Sequence, residues 1–137
     1  MNILIIDGMG GGIGKSIIEH IKSELADTVI TAVGTNSIAT SQMIKAGARM
    51  GATGENAVVF NCKTADIILG PMGICFSGAM HGEISRKMAA AVCESPALKL
   101  LIPISKCNAR IAGVTDKNMA QSIQDMLIEL KSLNMNG

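Results

Sequence analysis

Residues Ile3–Ser16 read ILIIDGMGGGIGKS, and no other stretch restricts the fold as much. A short apolar run without polar alternation is the pattern of a strand covered on both faces, as in a parallel sheet. Five glycines follow, Gly8, Gly10, Gly11, Gly12 and Gly14, and a Lys15-Ser16 pair closes the segment. From Gly12 to Leu25 the apolar residues Ile13, Ile17, Ile18, Ile21 and Leu25 recur at three-to-four spacing, which predicts an amphipathic helix. Two phosphate-binding loops share this strand, glycine turn and helix: the turn of dinucleotide-binding folds and the Walker A loop of nucleotide triphosphatases.

The alternation continues along the chain. TVITAVG (Thr28–Gly34) is rich in β-branched residues and predicts a second strand. Asn36 or Ser37 can cap a helix running to about Ala46, stopped by Gly47. Gly54–Ala65 contains AVVF, which alone would suit a strand. A helix capped by Thr53 is preferred, because it puts Val58, Val59, Cys62 and Ala65 on one face. DIILG (Asp66–Gly70) is a strand stopped by Pro71, and Ser85 caps a helix reaching about Glu94. Ala97–Ser105 is another strand, with Ala109–Val114 beside it as an antiparallel edge. Met119, Ile123, Met126, Leu127, Leu130 and Leu133 stripe a last helix, capped near Asp116; the stripe suits a core or a subunit interface equally. The expected fold is α/β: a single Rossmann-like domain over 1–137, with a mostly parallel sheet flanked by helices. Ligands of such sheets bind beyond the carboxyl ends of the strands. The loops expected there are Gly8–Gly14, Gly34–Ser37, Gly70–His81 and Ser105–Asn108.

Counting positions separates the two phosphate loops. A Walker A loop needs glycine where Met9 stands, and its deviant form needs lysine where Gly10 stands. Neither DIILG nor LLIPIS ends in the acidic residue that would help hold magnesium. The spacing G-x-x-x-G-x-G is met at Gly8, Gly12 and Gly14, and resembles the cofactor loop of short-chain dehydrogenases. By that resemblance Gly8, Gly10, Gly11, Gly12, Ile13 and Gly14 approach a pyrophosphate through backbone, and Lys15 is solvent-facing or an extra phosphate contact. The dehydrogenases' Tyr-x-x-x-Lys pair has no counterpart, since the chain contains no tyrosine. The acid that usually ends strand two and grips a ribose is also missing. Gly34, Thr35, Asn36 and Ser37 stand there, able either to receive a 2′-phosphate, as in NADP, or simply to cap the helix. Asp7 would repel phosphates, so its expected role is to accept loop N–H groups and fix the turn.

Reactive side chains are few. His81 and Glu83 lie in the glycine-flanked SGAMHGEIS and can serve acid–base chemistry, or form only an exposed loop with an ion pair or helix start. Cys107 sits beside Lys106, which would favour thiolate if the two meet in space, although free cysteines are usually buried. His20 falls on the polar side of the first helix. Cys62, Cys75, Cys93 and Cys107 show no CxxC pairing and read as buried, reduced, cytosolic thiols, and only His20 and His81 are available to complete a metal site. A net charge of +1 without a basic block, and two Phe as the sole aromatics, argue against nucleic-acid binding. No run approaches the roughly 20 apolar residues of a membrane span, and Met1–Ile6 is too short for a signal segment. The expected location is cytoplasmic.

The segments IDGMGGGIGK, GTNSIATSQMIKAGA, GATGENAVV, ADIILGPMGI, GEIS and CNARIAGV together resemble a family of small bacterial proteins known as a domain of unknown function. That resemblance implies a Rossmann-like domain with the glycine loop and transfers no activity. The expectation is a protein binding NAD(P) or another phosphate-bearing nucleotide, with a second subunit needed to complete the pocket, hence a homo-oligomer. The alternatives are a small hydrolase or transferase acting on a phosphorylated metabolite through His81/Glu83 or Cys107, and a deviant P-loop nucleotidase.

Overall fold

The computed structural model describes residues 1–104, 108–114 and 118–135, with Asn134 and Met135 described by their backbone only. Five parallel strands form one sheet: β1 (Ile3–Asp7), β2 (Ile30–Gly34), β3 (Met50–Thr53), β4 (Ile67–Pro71) and β5 (Leu98–Ile102), in the order β3-β2-β1-β4-β5. β1 is central, pairing Ile3 with Ile30 on one side and Ile67 on the other. All five of its residues are buried, as its unbroken apolar run requires.

Alternate residues of β1 feed two cores. Ile3 and Ile5 join α1 (Gly12–Glu24), α2 (Ser37–Ala46) and α5 (Met119–Met135) on one face. Leu4 and Ile6 join α3 (Glu55–Cys62) and α4 (Arg86–Glu94) on the other. The predicted stripes are what is buried. Ile17, Ile18 and Ile21 of α1 are fully enclosed, each such burial contributing about 1.5–3 kcal/mol before entropy is set against it. Ile123, Met126, Leu127 and Leu130 of α5 are core residues, so core packing accounts for the stripe on that helix. No helix among the described residues is long and apolar enough to cross a membrane.

Several local expectations need correction. The helix expected within Gly54–Ala65 is present over Glu55–Cys62, but its cap is Gly54, with φ +103° and no side-chain cap, rather than Thr53. Thr53 instead ends β3, a strand the sequence pattern does not reveal. β3 is an edge strand whose residues MGAT are mostly exposed, so no apolar run marks it. It lies close to α2 at Gly51, where a Cβ would lie 2.6 Å from Ile44 Cδ1. Pro71 is the last residue of β4 rather than the residue that stops it. Ala109–Val114 forms no antiparallel edge: these residues are irregular, with a turn at Ala112 and Gly113. The chain enters α5 at Asn118, whose Oδ1 accepts the Gln121 N–H at 2.8 Å. Asp116 lies outside the described residues.

The strand order reverses between β1 and β4. The carboxyl ends of β1, β2 and β4 therefore bring the loops Gly8–Gly11, Thr35–Asn36 and Met72–Ser85 together above the middle of the sheet.

Candidate functional site

The glycine turn is organised from below by Asp7. This residue ends β1 and is 3% exposed. Its Oδ1 accepts the Gly8 N–H at 2.8 Å and its Oδ2 the Gly14 N–H at 2.7 Å, tying the first and last glycines of the turn to one carboxylate. Gly11 N–H closes the turn on the Gly8 carbonyl at 2.9 Å, and Lys15 N–H begins α1 on the Gly11 carbonyl at 2.9 Å. Burial pushes the Asp7 carboxyl above its ordinary range, against the opposing pull of the Gly14, Gly8 and Ile13 amides. A carboxylate facing the first turn of α1 also complements the positive end of the helix dipole. Asp7 thus has the turn-fixing geometry expected of it.

The five glycines fall into two groups. A Cβ on Gly8 would lie 2.6 Å from both Met80 Sδ and Thr35 Oγ1, and one on Gly14 would lie 2.5 Å from Met43 Sδ. Gly11 has φ +74°, and a Cβ there would meet the Ala39 Cα of α2 at 2.8 Å. These three glycines are explained by close packing within the fold. Gly10 and Gly12 have no such reason: neither carries a positive φ, and no atom of the described residues lies within 4 Å of a Cβ on either. Both are exposed, as is Lys15 beside them, while Ile13 turns towards the core.

The second feature is Glu83. Its Oε1 accepts from Thr35 Oγ1 at 2.5 Å, Asn36 Nδ2 at 2.8 Å and the Met9 N–H at 3.0 Å. One oxygen thereby joins the loops after β1, β2 and β4. The Thr35 bond holds the Glu83 carboxyl below its ordinary range despite partial burial, with the Met9 amide, the Asn36 amide and nearby His81 acting in the same direction. Asn36 serves twice, since its Oδ1 also caps α2 by accepting the Ala39 N–H at 2.9 Å. Gly34 permits this exit from β2, because a Cβ there would collide with Thr40. Ser37, at the start of α2, is exposed.

The loop that delivers Glu83 is held by its own backbone. Gly78 N–H donates to the Ile84 carbonyl at 2.7 Å, and Gly82 N–H to the Gly78 carbonyl at 3.0 Å. Met80, His81 and Gly82 all have positive φ, which bends the tip and lays Met80 over Gly8. His81 sits exposed at that tip and makes no hydrogen bond with Glu83. Ser85 then caps α4 through Met88 and donates to Glu55 Oε2 at 2.6 Å.

The structure brings Gly8–Lys15, Gly34–Asn36 and Glu83 into one locus, with His81 at its rim. Cys107 lies outside the described residues. Cys62 is buried on the other face of the sheet from α1, and burial pushes its thiol up to about 11. Burial, then the neighbouring Cys93, pushes Cys75 up to about 12. Cys93 departs from the expected burial, being exposed, with its Sγ 3.9 Å from the Cys75 carbonyl oxygen. Among the described residues no group of three or more His, Cys, Asp or Glu could hold a metal ion. A cavity of about 350 Å³ lies elsewhere, between β5 and α5, beside Leu101, Pro103, Ser122 and Met126. Its position flanks the sheet, away from the point where strand order reverses.

Sequence reasoning singled out Glu83 for acid–base chemistry and overlooked its bonds to Thr35 and Asn36. Two polar donors after β2 with no acid in their own segment were the available signal. Residues 2–135 match the sequence profile of a family described as Domain of unknown function (DUF3842). No curated protein and no solved structure matches the chain.

Proposed function

The chain belongs to the DUF3842 family, and we propose that it binds a phosphate-bearing nucleotide, NAD(P) foremost, at the glycine turn after β1. The observation that carries this reading is the bareness of Gly10 and Gly12, whose lack of side chains neither backbone conformation nor packing among the described residues explains. Their N–H groups have no protein acceptor among the described residues, whereas those of Gly8, Met9, Gly11 and Gly14 are all engaged. Two free amides at the start of α1, where the helix carries about half a positive charge, suit an anion. Lys15 adds a cation on the same exposed side. A phosphate would sit outside the turn, away from Asp7. The location at the strand-order reversal is where open parallel sheets receive ligands.

A thermal-shift series with NAD, NADP, ATP and GTP, each with and without magnesium, tests the reading. A ligand at 100 times its dissociation constant adds about 2.7 kcal/mol to stability. At least one nucleotide should raise the melting temperature of the wild type. Gly12→Val should melt close to the wild type, because the space is open, and should lose the nucleotide shift. Stabilisation by ATP only with magnesium, abolished by Lys15→Ala, would establish the P-loop alternative instead. If no nucleotide shifts the wild type, the binding reading fails.

A further inference from the structure

We infer that Glu83 sets the specificity of this site, its carboxylate accepting the hydroxyls of an unphosphorylated ribose and turning away a ribose that carries a 2′-phosphate. This rests on the nucleotide reading above and narrows it to one ligand class. The end of β2 carries no acid of its own: Gly34 is followed by Thr35, Asn36 and Ser37. The structure nevertheless places a carboxylate there, delivered from the loop after β4, 48 positions beyond Thr35. The Thr35 hydroxyl and one Asn36 amide hydrogen, the donors that would have welcomed a 2′-phosphate, both point at Glu83 Oε1. The remaining described donor on that oxygen is the Met9 N–H, from the turn itself.

All three donors reach the same oxygen. Oε2 accepts from none of the described residues, and the side chain is only half-buried. A carboxylate fixed on one oxygen and open on the other is an acceptor for vicinal hydroxyls, which need acceptors held in place. A 2′-phosphate, carrying about −1.5 to −2 charges, offers no donor and meets a like charge instead. The three bonds favour the ionised carboxyl, so the repulsion persists at neutral pH.

Isothermal titration of the full chain with NAD and with NADP tests the inference. The wild type should bind NAD at least tenfold more tightly than NADP. NAD lacking the adenosine 2′-hydroxyl should bind about tenfold more weakly than NAD itself, a comparison that requires no variant. Glu83→Gln should bring the NAD and NADP affinities to within about threefold. Should that variant not fold, Glu83→Asp keeps the charge but withdraws it by one methylene, and should reduce the preference. Equal affinity of the wild type for NAD and NADP would overturn this inference and leave the nucleotide site standing. An unchanged ratio in a folded Glu83→Gln would do the same. If neither dinucleotide nor any nucleoside triphosphate binds, both readings fall together.

Discussion

At the scale of single residues, two carboxylates with opposite perturbations organise the site. Asp7 is buried and holds two backbone N–H groups, one per oxygen. Asn in its place can accept only one and presents its own N–H₂ to the other, so Asp7→Asn should cost about 1–3 kcal/mol in urea unfolding. The pH dependences run in opposite senses. The Asp7 carboxyl is raised above 3.8 in the fold, so its protonation favours the fold at low pH, and that contribution is lost as pH rises through the folded value. The stability gap between wild type and Asp7→Asn should therefore narrow as pH climbs above 3.8. Glu83 is lowered below 4.5, so its contribution is present above 4.5 and disappears as pH falls through the folded value; unfolding of Glu83→Gln beside wild type should show the gap closing in acid. Asp7 could be read from the sequence because a carboxylate next to a glycine turn has a local reason to be there. Glu83 could be singled out as a polar loop residue but its bonds could not, because its partners stand 47, 48 and 74 positions away.

At the scale of elements, the glycine turn sets how α1 approaches its neighbours. Gly11 brings the start of α1 against the Ala39 backbone of α2. Gly11→Ala adds both a left-handed backbone cost and a contact with rigid backbone, and should destabilise by about 1–3 kcal/mol in calorimetry. Gly10→Ala meets open space with no positive φ, and should fall within about 0.5 kcal/mol of wild type. Sequence periodicity located α1, α2, α3, α4 and α5 because each buries an apolar face or begins at a recognisable cap. It failed at β3, where exposure removes the apolar signal and pairing with β2 alone makes the strand. At Ala109–Val114 the opposite error arose: apolar residues suggested an edge strand, yet Ile111 and Val114 are exposed and unpaired with the sheet.

For the whole molecule, the sheet depends on helices covering both faces. α5 completes one of them by setting Leu127 and Leu130 against the core that also holds Ile3 and Ile5 of β1. Leu130 is fully buried, so Leu130→Ala should cost about 2–5 kcal/mol in chemical denaturation, through lost burial and the cavity left behind. The alternation of apolar runs with amphipathic stripes makes a parallel sheet legible in the amino-acid sequence itself. The order β3-β2-β1-β4-β5 is not legible there, because nothing in a strand's own residues says which neighbour it takes. That order puts the reversal between β1 and β4, and with it the meeting of three loops at Glu83.

The division among the glycines of the turn also has a historical side. Glycine at positions 8, 11 and 14 is demanded from within, by Thr35, Met80, Ala39 and Met43, and descendants that keep this fold must keep those glycines or remodel their neighbours. Among the described residues nothing demands glycine at 10 or 12. If the turn holds the proposed nucleotide, a lineage that ceased to use it would be free to replace both while folding as before, and drift at those two positions alone would mark that loss.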